Sequence, residues 1–440
     1  VKSAATSNSF PERLYDHLFE EEDARSCRDI EEGACQESGH NFLTTVVALA
    51  MTKLGDALSN PKTVLAWLLT ALGAPVAIIG WLVPLRESLS MLPQMAIGSW
   101  VRRREIRKWI WIGGSVAQAV CVAGMAVTAL LLTGMAAGIS VLLLLIVFSL
   151  ARGFCSIAIK DVLGKTIAKN RRGRVSGISA SIAGGVTLLV GFILVGPLRE
   201  VESVTPFVVL LTVATALWVV AALIYAQVRE FPGATDGGKN GLREAFSRLG
   251  LLKSDPAFRG FVMARALFLV SALSAPYYVV LANQHGSGKA SDLGWFVLAG
   301  GIADLISSPI WGTFADRSSR RVMMAAAGGA SVLGGVVFVV VLTSPALAGA
   351  SWLFPAAFFL LSIAHAGVRA GRKTYVVDMA GGNRRTDYVA VSNSVIGAIL
   401  LLTGLLGSIA SGVSAEWIIL ALSVAGLVGV AIAARLPEVQ

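Results

Sequence analysis

Twelve stretches of the chain are long and apolar enough to cross a hydrocarbon layer of about 30 Å at roughly 1.5 Å per helical residue. They lie near residues 43–70, 75–98, 109–133, 138–158, 175–198, 203–228, 257–283, 289–311, 322–345, 350–371, 388–412 and 415–435. Two prolines interrupt this pattern: Pro61, in Asn60-Pro61 of the first stretch, and Pro276, in Ala275-Pro276 of the seventh. A proline inside a helix frees a carbonyl and kinks the axis. The pattern also repeats. Gly80-Trp81-Leu82-Val83 followed by Gly98 returns 214 positions later as Gly294-Trp295-Phe296-Val297 followed by Gly312, and Asn170-Arg171-Arg172 returns as Asn383-Arg384-Arg385. The chain therefore divides into a polar N-terminal segment (1–42), a six-span unit (43–228), a linker (229–256) and a second six-span unit (257–440). Corresponding helix breaks in two such repeats point to a binding site between them.

Composition fixes the class of the repeated unit. Apolar residues make up 55% of the chain and charged residues 15%, against about 25% charged in an ordinary soluble domain. The expected fold is all-α, a polytopic membrane protein. Lys and Arg concentrate in the loops after spans two, four, eight and ten, among them Arg103, Lys108, Arg171, Arg174, Arg317 and Arg384. Positive loops stay on the cytoplasmic side, so both termini are expected there. The net charge of +10 is accounted for by this asymmetry and requires no nucleic acid.

Residues 1–42 contain the acidic run Glu20-Glu21-Glu22-Asp23 and no apolar core of a signal peptide. Leu14 and Leu18, four apart, fit a short amphipathic helix near 12–24, or the segment is a solvated tail. Cys27 and Cys35, separated by seven residues and flanked by His17 and His40, lack zinc-site spacing. With Cys121 and Cys155 inside spans, four free thiols, no disulfide and no metal are expected. In the linker, Gly233 to Asn240 nearly spells a phosphate loop, but Asn240 replaces the metal-binding hydroxyl. No enzyme activity and no cofactor are expected; uphill work must draw on a gradient.

Ionisable residues inside the spans are costly in hydrocarbon and mark the protein interior or a water-filled cavity. They are Lys53 and Asp56 in span one, Arg86 and Glu87 in span two, Arg152 in span four, Arg265 in span seven, Asp304 in span eight, and His365 with Arg369 nearer the end of span ten. Lys53 and Asp56, three apart on one helical face, can pair with each other. Small residues in span five (Gly177, Ser179, Gly184, Gly185) and span eleven (Gly404, Gly407) suit close helix packing.

The run Gly312-Thr313-Phe314-Ala315-Asp316-Arg317-Ser318-Ser319-Arg320-Arg321, after span eight of twelve, resembles the G-x-x-x-D-R-x-x-R-R loop signature of the major facilitator superfamily. The resemblance covers about residues 43–435. It implies that spans one, four, seven and ten line a central cavity, that spans two, five, eight and eleven form its sides and gates, and that three, six, nine and twelve face lipid. It further implies gating roles for Gly98, Gly312, Asp316, Arg317, Arg320 and Arg321. The first half departs from the signature: Arg102 stands four residues after Gly98, where the second half has Asp316. One of two carboxylate latches is thus missing, and an asymmetric gate is expected. By pseudo-symmetry Asp316 would meet Arg172 or Arg174 at the start of span five.

Four cations (Lys53, Arg86, Arg152, Arg265) against three carboxylates (Asp56, Glu87, Asp304) leave the expected cavity slightly positive, which favours a solute with an anionic group. Phe268, Trp67, Tyr277 and Tyr278 could contact an apolar part of it. One carboxylate, Asp56, Glu87 or Asp304, would carry the proton: Asp304, with no close basic neighbour in sequence, is preferred, Asp56 is second, and His365 is the outside candidate. The reading is a monomeric secondary active transporter of the bacterial inner membrane. It would move a small, anionic or amphipathic solute by alternating access, coupled to protons, with lipid as its other partner. The rivals are a lipid or amphiphile flippase and a non-transporting assembly factor on the same fold.

Overall fold

The computed structural model describes residues 32–92, 97, 100, 101, 103–168, 171–196, 204–233, 235, 249–286, 290–315, 317–379, 385–409 and 413–439. Helices are the only regular structure among them. Span three is Lys108–Leu131, span four Gly134–Thr166, span five Arg172–Val195 and span six Thr205–Tyr225. Span eight is Ala290–Ala315, nine Ser319–Thr343, ten Leu353–Met379, eleven Arg385–Ile409 and twelve Ala415–Ala433. Nine helical segments among the described residues, at spans three to seven and nine to twelve, are long and apolar enough to cross a membrane.

The remaining irregularities are breaks with local causes. Span one runs as Ser38–Leu58 and Val64–Ala71, and so begins inside the segment assigned to the polar N-terminus. Its interruption holds Pro61, which has no N–H to give, and the Asn60 side chain caps the gap by accepting from the Lys62 backbone N–H at 2.8 Å. Span two breaks as well, into Val76–Ile79 and Leu82–Met91. Pro84, four residues on, cannot bond the Gly80 carbonyl. Span seven is three pieces, Pro256–Leu267, Val270–Leu273 and Ala275–His285. Pro276 sits in the first turn of the last piece, where the missing N–H costs nothing; the chain bends at Phe268 and again at Ser274.

Helix packing repeats with the sequence. Within the first six spans, one packs on five and six, three on four and six, and two on four. Within the last six, seven packs on eleven and twelve, nine on ten and twelve, and eight on ten. Between the sets, two meets eleven, five meets eight, and the end of one meets the end of seven.

The apolar core is shared at one end only. At the end distal to the chain termini one large cluster joins both sets, from Leu65 and Trp67 of span one to Tyr278 of span seven and Phe296 of span eight, and a smaller one joins Val83 of span two to Leu273 of span seven and Ile396 of span eleven. Trp67 and Phe296 stand 6.2 Å apart, ring centre to ring centre. At the proximal end each set keeps its own core: Trp111, Val162 and Tyr225 in one, Phe258, Phe261 and Tyr375 in the other.

Close approach at the distal contacts depends on glycine. A Cβ on Gly294 would lie 2.8 Å from Leu194 Cβ, and one on Gly404 would lie 2.5 Å from Trp81, both too near for any side chain. The packing glycines expected in span five behave otherwise. Gly177, Gly184 and Gly185 have no atom within 4 Å of such a Cβ, because span five approaches span eight further along, at Gly191.

Each set closes on itself through a returning acidic peptide. After span six, the fully buried Glu230 carboxylate accepts the backbone N–H groups of Arg107 and Lys108 at the start of span three, and the Lys165 ammonium at 2.6 Å. After span twelve, Glu438 accepts from the Ser318 hydroxyl at the start of span nine and pairs with Arg320 at 2.6 Å. A carboxylate at a helix N-terminus meets both the free N–H groups and the helix dipole. The Ser318 hydrogen bond, with Arg320 and Arg321 nearby, holds Glu438 below the usual carboxylate range.

Cys121 and Cys155 are free and buried, but Cys35 is disulfide-bonded, which corrects the expectation of four free thiols. Spacing that excludes zinc does not exclude a disulfide. The amphipathic helix near 12–24, Asn240 of the phosphate-loop-like run, Gly98, Arg102 and Asp316 lie outside the described residues; Gly312 falls within the span-eight helix.

Glu230→Gln is expected to lower stability by about 2 kcal/mol, the scale of hydrogen bonds to a buried charge, read as a lowered unfolding midpoint in detergent. Glu438→Gln should cost far less, since its carboxylate is exposed and screened. With a depressed folded pKa, the Glu438 contribution is present above the ordinary carboxylate range and is lost as pH falls below it. Hydrogen exchange near Ser318, corrected for intrinsic rates, should rise on acidification in wild type and not in Glu438→Gln.

Candidate functional site

Two groups of charged side chains occupy the interior at mid-depth. In the first, Asp56 of span one is gripped from two other helices. Arg86 of span two donates to it at 2.9 Å, and Arg152 of span four pairs with its other oxygen. The Arg86 guanidinium also lies over the Phe148 ring at 4.7 Å, a favourable cation–π placement. Lys53 therefore does not pair with Asp56 as its spacing allowed. It reaches span five, donating to the Ser176 carbonyl and the Ser179 hydroxyl, each at 2.8 Å. The cross-helix arginines win because two bidentate-capable guanidiniums match a carboxylate better than one flexible ammonium.

The second group lines a cleft of about 130 Å³ between the two six-span sets. Lys62 enters from the break in span one, Glu87 from span two, Arg265 and Phe268 from the first bend of span seven, and His365, Arg369 and Arg372 from span ten. The breaks matter geometrically, since Lys62 reaches the cleft only because the helix is interrupted around Pro61.

A hydrogen-bonded chain crosses the cleft from one set to the other. The Lys62 ammonium lies 3.2 Å from His365 Nε2, and His365 Nδ1 lies 3.1 Å from Ser271 Oγ. An ammonium only donates, so Nε2 accepts, Nδ1 carries the proton and donates to Ser271, and Ser271 in turn donates to the Phe268 carbonyl at 3.3 Å. His365 is thereby a neutral imidazole of defined tautomer.

The other cleft charges are weakly answered. Glu87 forms no ion pair or side-chain hydrogen bond among the described residues, although Lys62, Arg86, Arg372 and Arg152 all act on it. Arg265, 6% exposed, donates to the neutral side chains of Ser392 and Asn393. Arg369 reaches Asp304 at 3.6 Å. Asp304 itself is 74% exposed and does not line the cleft.

The remaining expected residues are placed as follows. Arg320 clamps the C-terminal peptide of its own set, donating to the Leu436 carbonyl at 2.6 Å, while Arg317 and Arg321 are exposed. Arg172 caps the end of span four through the Ile167 and Gly164 carbonyls. Of the aromatics, Phe268 lines the cleft, whereas Trp67, Tyr277 and Tyr278 belong to the shared distal core. Sequence reasoning missed Lys62 and Arg372. Both had a signal: Lys62 follows Pro61 directly, and His365, Arg369 and Arg372 recur at the i, i+4, i+7 spacing of one helical face.

Residues 266–439 match the model of the Major Facilitator Superfamily, and about 90% of the chain superposes on solved transporters. The fold is that of the major facilitator superfamily. The nucleoside transporter NupG matches with a TM-score of 0.66 at 13% identity, over 90% of this chain and 99% of its own. A D-xylose-proton symporter matches with a TM-score of 0.67 at 11% identity, over 91% and 98%. A bacterial homologue of the iron transporter ferroportin, in its inward-facing state, gives 0.65 at 14% identity, over 90% and 99%. No curated protein matches the sequence. The cleft lies where spans one, two, seven, ten and eleven converge, and no metal-holding cluster of His, Cys, Asp and Glu occurs among the described residues.

Asp56→Asn leaves Arg86 and Arg152 without their counter-charge and is expected to cost about 3 kcal/mol, the low end for breaking a buried pair. The thermal midpoint in detergent reads this loss. Adding Arg152→Gln should recover part of it, which a simple cavity or fold defect would not.

Proposed function

We propose that this chain is a secondary active transporter that carries a small solute by alternating access. Spans one to six (within 43–228) and seven to twelve (within 257–440) rock about the central cleft. Both termini face the cytoplasm, as the positive loops argue, and the resemblance to bacterial permeases points to a bacterial inner membrane. The observation that carries this reading is the position of the cleft. It lies at the breaks of spans one and seven, under a core common to both sets and between cores that are separate. A polar site of this kind is open from one side and sealed from the other. The shared fold with a nucleoside transporter and a sugar–proton symporter supports it.

Proton coupling belongs to the same reading, with the carrier reassigned. Asp304 has no basic neighbour in sequence, but Arg369 attends it across helices and it is not among the residues lining the cleft. Asp56 is committed to two arginines, and His365 is committed to Lys62 and Ser271. Glu87 lines the cleft without an ion pair among the described residues, so it is the carboxylate best able to gain and lose a proton as the cleft alternates.

Reconstitution in liposomes with a trapped pH dye tests both parts. A panel of sugars, nucleosides, carboxylates and phosphate esters should contain a solute that moves together with protons. Glu87→Gln should abolish proton movement while Asp304→Asn retains it. Loss in Asp304→Asn alone would return the proton to Asp304, and a panel in which no solute crosses would overturn the transport reading.

A further inference from the structure

A guanidinium in an apolar interior is ordinarily held against a carboxylate, because it stays charged and unpaired burial is expensive. Arg265 departs from this. More than nine-tenths buried, it has only the neutral Ser392 and Asn393 as partners, and its Nε–H is unpartnered among the described residues. Arg372, lining the same cleft, forms no hydrogen bond or ion pair among the described residues. Lys62 spends its ammonium on a neutral imidazole. Three cations from spans one, seven and ten thus converge on one cleft, and Glu87 is the carboxylate among its lining residues.

We propose that Lys62, Arg265 and Arg372 form a receptor for an oxyanion group, carboxylate or phosphate, on the transported solute, and that its binding draws a proton from solvent onto Glu87. That the oxyanion belongs to a transported solute rests on the transport reading; the receptor itself does not. An oxyanion supplies the acceptors that Arg265 Nε and Arg372 lack, in the planar geometry guanidinium groups favour.

The linkage to the proton follows from which cations are free to move. Four cations act on Glu87: Lys62, Arg86, Arg152 and Arg372. Arg86 and Arg152 are tied to Asp56, whereas Lys62 and Arg372 can turn to a ligand. When they do, Glu87 keeps its place beside a new negative charge with less to offset its own. Two like charges in one desolvated site favour protonating one of them. The coupling is reciprocal, so a proton already on Glu87 strengthens oxyanion binding. His365, neutral and hydrogen-bonded on both nitrogens, and Arg369, turned to Asp304, complete the charged and titratable groups around the cleft.

The full-length protein in detergent, titrated with sulfate, inorganic phosphate and succinate against chloride at equal ionic strength, tests the proposal through ligand-induced rise of the unfolding midpoint. At least one of the three should stabilise beyond chloride, phosphate and sulfate against succinate separating the two oxyanion chemistries. Arg372→Gln, on a cleft-lining side chain, and Arg265→Gln should each weaken binding tenfold or more. Sulfate does not titrate near neutrality, so its binding should tighten as pH falls in wild type and lose that dependence in Glu87→Gln. Stabilisation no greater than chloride, or equal in Arg372→Gln, overturns the receptor. A pH dependence unchanged in Glu87→Gln overturns the proton linkage. Sulfate binding without flux in liposomes would sink the transport reading and leave the receptor standing; flux without oxyanion binding would do the reverse.

Discussion

A charge at mid-depth in a membrane protein must be answered by a fixed partner, by water, or by something that comes and goes. Charges with and without a fixed partner are both present here within a few helical turns. Asp56 answers Arg86 and Arg152 permanently, tying spans one, two and four into one body. Asp304 answers Arg369 at an exposed edge. Arg265 and Arg372 form no ion pair among the described residues, and the space before them is a cleft. The rest of the molecule is arranged so that this cleft exists: two helices are broken to admit Lys62 and Phe268, and glycines at the distal contacts bring the two sets close enough to seal one end of it.

Duplication supplied the frame and left the chemistry to divergence. The returning carboxylates Glu230 and Glu438 hold equivalent helix starts in the two sets, and the packing pairs of one set recur in the other. Charge does not follow that symmetry. The first set neutralises much of its interior through Asp56, while the second carries Arg265, His365, Arg369 and Arg372 with no equivalent internal carboxylate of its own in the cleft. A solute bound there would be gripped chiefly by the second set, with Lys62 and Glu87 as the contribution of the first.

The spans were legible because hydrophobic length in a bilayer is a one-dimensional constraint. The break at Pro61 was legible because proline has a local effect. Partner choice was not, since it depends on neighbours far apart in sequence. Lys53 and Asp56 share a helical face, yet Lys53 turns to span five because Arg86 and Arg152, remote in sequence, reach Asp56 first. Asp304 looked isolated along the chain, but Arg369 lies across a helix interface. Gly177, Gly184 and Gly185 have the composition of a packing seam, yet Gly191 is the span-five glycine pressed against Leu298 of span eight. The break in span two has a proline signal in Pro84, which an otherwise apolar run concealed.

The unequal distribution of core between the two ends has an energetic consequence for motion. Opening the distal end means parting Trp67, Tyr278 and Phe296 from one another and wetting their surfaces, at about 25 cal/mol for each Å² exposed. Closing the proximal end mostly means displacing water from a rim whose two cores are already complete. The two directions of the cycle are therefore not mirror images: one exposes oil and the other removes water. A ligand that favours the opposite state must do so strongly enough to offset the cost of parting the distal core.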